Sequence, residues 1–259
     1  MMRCTVYPVV GRSFHKSSIS CSPILNFIWQ RNSFSISAGA CSSNNYKSAT
    51  DSSPLSGLES VMLEYIFGKK KATQVAHSIW KHVVQKGDIV VDATCGNGYD
   101  TLAMVYMVAD KSCTGRVYSM DIQETALQNT TSLLDKLLDP DEKEIVDLSI
   151  KCHSKMEEVV PRGIMVRLVA FNLGYLPGGD KTIITNSKTT LLGMEAASRI
   201  IASGGLISLL VYVGHPGGME EYKMVEEFAS RLPVNEWICC KLQMLNRPLA
   251  PIVVLLCKR

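Results

Sequence analysis

The first fifty residues contain neither Asp nor Glu, and nowhere in the 259-residue chain do about 18 apolar residues run together. The second absence excludes a membrane-spanning helix of ordinary length. Nine cysteines are present, but they form no C-x-x-C pair and no His stands at zinc-ligand spacing from them. That pattern argues against a metal site and against a disulfide framework, and leaves buried, reduced thiols as the expectation for Cys95, Cys113, Cys152, Cys239, Cys240 and Cys257. Excess charge is also lacking where it would matter. The formal net charge is +3, but Arg3, Arg12, Lys16, Arg31 and Lys47 all fall in the acid-free leader. From residue 51 onward there are 22 basic and 24 acidic residues, a net of −2. The body is therefore not a generally basic nucleic-acid binder, and any contact with RNA must come from a local patch.

What the leader does have is serine, eleven in residues 1–50, with its apolar residues scattered. A basic, serine-rich, acid-free start without a compact apolar block matches an unstructured organellar transit peptide and not a secretory signal. Its serine content favours the chloroplast, with the mitochondrion as the alternative. Residues 51–259 then form the working domain.

Apolar periodicity in that domain alternates between helix and strand. Helices are expected over Leu58–Phe67, Ala72–Val84, Tyr99–Val108, Glu124–Leu138, Thr190–Ala202 and Gly217–Leu232. Strands are expected over Ile89–Val91, Arg116–Met120, Val146–Lys151, Val166–Phe171, Leu206–Val213, Trp237–Leu245 and Ile252–Cys257. Asp139–Lys143 reads as a loop, and Ser203-Gly204-Gly205 as the stop of the preceding helix. Alternation of this kind implies an α/β fold with a mostly parallel sheet and helices on both faces. Two successive strands close the chain, as in the Rossmann-like class I methyltransferase fold, whose seven-stranded sheet has one antiparallel strand.

The first strand runs into Asp92-Ala-Thr-Cys-Gly96-Asn97-Gly98-Tyr-Asp100 and a helix. Glycines there let the backbone turn tightly at the carboxyl end of a strand, where open α/β sheets bind ligands. A nicotinamide site would need a third glycine, but Thr101 occupies that position. Acids flank the turn, so a cationic ligand such as S-adenosyl-L-methionine fits better than a pyrophosphate. Asp121, closing the second strand, can accept both hydroxyls of a ribose, or cap the next helix. Gln123 is within reach of the ribose or the adenine edge, and His153, past the third strand, is placed for the adenine or for a structural role. The fourth strand ends in Asn172-Leu-Gly-Tyr175-Leu-Pro-Gly-Gly-Asp180, whose start is similar to the N-P-P-Y motif of amino-group methyltransferases. An Asn oxygen and a backbone carbonyl can hold the two N–H groups of an amine and aim its lone pair. Tyr175 can stack on a base. An aliphatic amine, with a pKa near ~10, must first lose a proton. Asp180 and His215 are the candidate acceptors, and strand alternation is expected to bury Tyr212.

Residues 92–101, Asp121-Ile122-Gln123, Phe171–Lys181 and Gly214-His-Pro-Gly-Gly218 together resemble the MnmM tRNA methyltransferases, long labelled rRNA methylases, over roughly residues 56–259. The resemblance implies methylation of the amine of 5-aminomethyl-2-thiouridine at the anticodon wobble position, a tRNA anticodon stem-loop as partner, and a homodimer. It also implies cofactor contacts at Asn97, Asp100, Asp121, Gln123 and His153. The chain departs from that family at Leu245–Ile252, where an Asn-rich stretch ending Pro-Pro-Phe is usual, and at Val213, where His is frequent. Other readings are a methyltransferase acting on rRNA or a small amine, and an RNA-binding protein of this fold without chemistry.

Overall fold

The computed structural model describes residues 57–112 and 114–259. The expected transit peptide, with its three cysteines, and Cys113 lie outside the described residues. Helices α1 (Leu58–Ile66) and α2 (Ala72–Val83) precede β1 (Ile89–Asp92), α3 (Tyr99–Val108), β2 (Arg116–Asp121), α4 (Glu124–Leu137), α5 (Pro140–Glu144) and β3 (Val146–Ile150). A 3-10 turn (His153–Glu158) leads to β4 (Val166–Leu173), α6 (Ser187–Ile200), β5 (Ile201–Val211), α7 (Gly218–Arg231), β6 (Trp237–Leu242) and β7 (Ile252–Lys258).

The sheet order is β3-β2-β1-β4-β5-β7-β6. The first five of these strands are parallel neighbours. β7 runs antiparallel between β5 and β6. The strands read as continuous apolar runs because both faces of the sheet are covered. Val91, Val169, Phe171, Leu209 and Val211 pack with Met194, Tyr222 and Val225 of α6 and α7. On the other face Val90, Leu168, Ala170 and Leu210 pack with Val75, Trp80, Met104 and Leu134 of α2, α3 and α4. Trp80 is almost wholly buried, and truncating such a side chain costs about 3–5 kcal/mol.

Several element ends shift by a few residues, and two segments differ in kind. Asp139–Lys143 is not a loop, because Pro140–Glu144 form a short helix. Asp139 accepts from the Glu142 N–H at 2.9 Å while the Glu142 carboxylate accepts from the Asp139 N–H at 3.2 Å. Proline at the first helical position costs nothing there, since its missing N–H would have no partner. Ser203-Gly204-Gly205 does not stop a helix either. The helix ends at Ile200, and β5 runs through the glycines beside an irregularity in its pairing with β4. A Cβ on Gly205 would stand 2.8 Å from the Ala202 carbonyl oxygen and 3.0 Å from that of Arg167. These glycines therefore mark a bulge in which backbones approach closely. The thiols also differ from expectation. Cys95 is buried, but Cys152 and Cys257 are half-buried and Cys239 and Cys240 are exposed on the edge strand β6.

Gly98 is the residue whose replacement should damage the fold most at the β1–α3 turn. It caps α3 with φ 84°, and a Cβ there would lie 2.9 Å from the Thr130 Cα on α4. Gly98→Ala combines left-handed strain with a backbone clash and should lower Tm by roughly 5–10 °C. Gly163→Ala is the control, since Gly163 has φ 83° but open space around it. Equal losses in the two variants, followed by circular dichroism, would mean that the close packing of the turn on α4 contributes nothing.

Candidate active site

A cavity of about 750 Å³ opens at the carboxyl ends of β1, β2, β4 and β5. Its floor is the β1–α3 turn. The Asp121 carboxylate, at the tip of β2, accepts from the Gly96 N–H at 3.2 Å and the Gln123 N–H at 3.0 Å. Asp121 and Gln123 both line the cavity. Burial raises the Asp121 pKa, while its backbone hydrogen bonds work in the opposite direction. Asn97 spans the cavity's rim, donating from Nδ2 to the Pro177 carbonyl at 3.0 Å and accepting from Asn129 at 2.9 Å.

Asp92, expected among the cofactor contacts, does not line the cavity. It is buried beneath the turn, accepting from Thr101 Oγ1 at 2.6 Å and the Thr94 N–H at 3.2 Å. Burial, and then the charge of Asp100, push its pKa well above the carboxylate range. The strand that ends on Asp92 points this side chain into the layer below, so it holds the turn from underneath. Gly98 likewise shapes the turn without lining the cavity. Thr101, read in sequence only as a missing glycine, is the partner that satisfies Asp92, and it also shares a hydrogen bond with Ser119 at 3.0 Å.

Asp100, in the first turn of α3, does face the cavity. One carboxylate oxygen meets His77 Nε2 of α2 at 2.6 Å, and the other accepts from Asn172 Nδ2 at 3.2 Å. Asn172 lies inside β4 and not in the following loop, and its backbone N–H donates to Thr94 Oγ1 at 2.7 Å. With Nδ2 committed to Asp100, the Asn172 amide oxygen has no protein partner among the described residues. Nothing in the sequence singled out His77, which stands in no motif and meets Asp100 from 23 residues away.

Residues 174–186 are tied down as a strap. Gly174 and Thr185 exchange hydrogen bonds at 2.9 Å, Tyr175 bridges to Ile184, and Thr185 Oγ1 donates to buried Glu221 at 2.8 Å. Glu221 also accepts from Thr190 at 2.6 Å. This strap places Tyr175 edge-on to His215, with ring centroids 6.4 Å apart and Lys181 Nζ 5.7 Å from the tyrosine ring. His215 Nδ1 lies 3.0 Å from the Pro216 carbonyl, and its Nε2 is buried without a partner. Tyr212 is half-buried against the core and also lines the cavity, since β5 ends at Val211 and alternation no longer fixes its direction. Asp180 is exposed, lies outside the cavity wall, and is tied to the Thr182 N–H and Oγ1 at 2.8 Å each. Those bonds hold its carboxylate below the usual range, which suits a turn cap and not a base.

His153, opening the 3-10 turn, is buried in the cavity wall with Nε2 unpaired. Burial depresses its pKa to about 4. An unfolded imidazole takes up a proton near ~6.5, so the stability this group contributes is full above that pH and is lost as pH falls toward 4. His153→Phe should therefore flatten the dependence of Tm on pH between 6.5 and 4. An unchanged slope in differential scanning calorimetry would show that His153 is not held neutral.

No group of three or more His, Cys, Asp or Glu is placed to hold a metal among the described residues. Nor is any described helix long and apolar enough to cross a membrane.

Residues 117–258 match the family model described as "Putative rRNA methylase". The "tRNA (mnm(5)s(2)U34)-methyltransferase, chloroplastic" of Arabidopsis thaliana is 62% identical over 208 residues, covering 80% of this chain and 76% of that protein. Among solved structures, a protein of Clostridium thermocellum described as a "putative rRNA-methylase" is 35% identical with a TM-score of 0.68, covering 73% of this chain and 98% of that one. SMU.1697c of Streptococcus mutans, described as "a putative methyltransferase" and solved in complex with SAH, is 29% identical with a TM-score of 0.64, over 73% and 99% of the two chains. The sheet order, the antiparallel β7 and these neighbours make the fold that of the class I S-adenosylmethionine-dependent methyltransferases. By the span of the family match and the identity to the Arabidopsis enzyme, the chain belongs to the family described as "Putative rRNA methylase".

Proposed function

We propose that this protein is an S-adenosylmethionine-dependent N-methyltransferase of the chloroplast. It converts 5-aminomethyl-2-thiouridine to 5-methylaminomethyl-2-thiouridine at the wobble position of tRNA. Residues 1–50 deliver it to the organelle, and residues 51–259 carry the chemistry, as a homodimer. The observation that carries the reading is the Asn172 amide: its nitrogen is pinned by Asp100, so its oxygen is left to accept from an amine in the cavity.

The donor set fits the cofactor. An unpaired, neutral His153 nitrogen in the cavity wall suits an adenine edge, and Asp121 suits a ribose diol, with Gln123 beside it. Asp100, Asn97 and the Gly96 backbone would hold the cationic amino-acid end. S-adenosylmethionine supplies a methyl group made electrophilic by its sulfonium.

The rest is done by the chain. His215 lines the cavity with Nδ1 donating to the Pro216 carbonyl, so Nε2 is its basic nitrogen, and a small shift of the glycines packed against Nε2 would uncover it to take the proton from the substrate ammonium. Asn172 then orients the neutral amine so that its lone pair is directed at the methyl; methyl transfer leaves the product as the secondary ammonium, and the proton held by His215 passes to solvent. Tyr175 offers its ring to the base. The wobble base is already unpaired, so little energy goes into exposing it.

The test is methyl transfer by purified protein to tRNA carrying the aminomethyl uridine, read by nucleoside mass spectrometry. Conversion of that nucleoside to its N-methyl form is expected. Methyl incorporation confined to ribosomal RNA would overturn the assignment.

A further inference from the structure

His77 belongs to two sites at once. It lines the cavity, and it also lines a second groove of about 570 Å³ between α2 and α3. That groove's wall includes Lys81, Gln85 and Lys86 from α2 and the turn after it, and Tyr106 and Met107 from α3. It contains no Asp or Glu. Lys81 and Lys86 are exposed, and neither is in an ion pair among the described residues. Lys86 donates to the Tyr106 carbonyl at 2.8 Å, which fixes its ammonium at the groove and leaves two further N–H donors. The Tyr106 ring is half exposed.

Thr73, His77 and Lys81 recur every four residues and so share one face of α2. Thr73 and His77 lie on the cavity and His77 and Lys81 on the groove, so that face is a continuous path of about 12 Å from one to the other. Two ammonium groups, an imidazole and an exposed phenol ring are the groups that single-stranded RNA calls for: cations for phosphodiesters and a ring for a base. The body of the chain has a net charge of −2, so attraction for RNA must be local, and here it is local and joined to the reaction cavity.

We propose that the α2–α3 groove binds the phosphodiester backbone of the RNA strand adjoining the methylated nucleotide, with Lys81 and Lys86 on phosphates and Tyr106 against a base. The proposal rests on the reading of the substrate as RNA, and it assigns to this groove the grip that the cavity alone does not supply.

The experiment compares wild type, Lys81→Glu/Lys86→Glu and Lys223→Glu, a charge reversal on the exposed surface of α7. Affinity for a fluorescent anticodon stem-loop is measured by anisotropy across a salt series, and S-adenosylhomocysteine affinity by calorimetry as a check on the fold. The double variant should bind the stem-loop at least tenfold more weakly, with the slope of log affinity against log salt shallower by about 1.4, the value for two phosphate contacts on a single strand. Its S-adenosylhomocysteine affinity should stay within twofold, and Lys223→Glu should bind RNA like wild type. Equal loss in Lys223→Glu, or an unchanged slope in the double variant, would overturn the groove assignment while leaving the methyltransferase reading intact. A wild type that binds no stem-loop would overturn both.

Discussion

Asn172→Ala should lower the rate of methyl transfer by at least about 100-fold while leaving cofactor affinity within a few-fold of wild type. The asymmetry follows from where the residue sits. Asn172 is inside β4, held by its own N–H to Thr94 and by Nδ2 to Asp100, so its oxygen is fixed by three elements of the fold. A fixed acceptor of this kind gives the amine one orientation, and misplacing a reacting group by an ångström costs on the order of 100-fold. The cofactor loses nothing directly. It feels only the release of Asp100, which keeps His77 at 2.6 Å as a second partner. Asn172→Asp sharpens the test. It preserves shape but replaces the donating nitrogen by an oxygen facing the Asp100 carboxylate at the 3.2 Å contact, so it should be as inactive as the alanine variant. Single-turnover rates and calorimetric affinities decide the matter. A loss of cofactor binding as large as the loss of rate would place Asn172 on the donor and not the acceptor.

The elements that could be read in advance are those whose cause is local. Both ends of α3 were legible from a glycine before it and an apolar period within it, and the closing pair β6–β7 from two apolar runs with no helix between. The directions of side chains at strand tips were less legible. Asp92 and Asp121 both end a strand before a turn, yet one is swallowed by Thr101 and Thr94 and the other lies on the cavity. Sequence offers no sign of this, because the choice is made by how α3 packs back over β1. His77 and Glu221 were invisible for a related reason: each meets partners 23 to 36 residues away, and neither sits in a motif. Glu221 is nonetheless what turns a glycine-rich stretch into a strap, since a buried carboxylate must find donors and Thr185 and Thr190 supply them.

Asp121→Ala should show the opposite kinetic pattern from Asn172→Ala: cofactor affinity down by roughly 10- to 100-fold, with turnover at saturating cofactor much less affected. A hydrogen bond to a charged group contributes about 1.5–3 kcal/mol, and a ribose diol held equally before and during the reaction affects binding and not the barrier. The variant also strips the Gly96 and Gln123 N–H groups of their acceptor, so part of the loss comes from a loosened turn. Asp121→Asn separates the two contributions, because it retains one acceptor oxygen but not the charge, and should fall between alanine and wild type. Burial adds a pH signature. With its pKa raised, Asp121 is neutralised at a higher pH than an exposed carboxylate, so cofactor affinity of the wild type should weaken on mild acidification and that of Asp121→Ala should not. Calorimetric titration with S-adenosylhomocysteine across pH reads both effects. An Asp121→Ala protein that binds the cofactor normally but turns over slowly would remove Asp121 from the ribose and move the donor site away from the tip of β2.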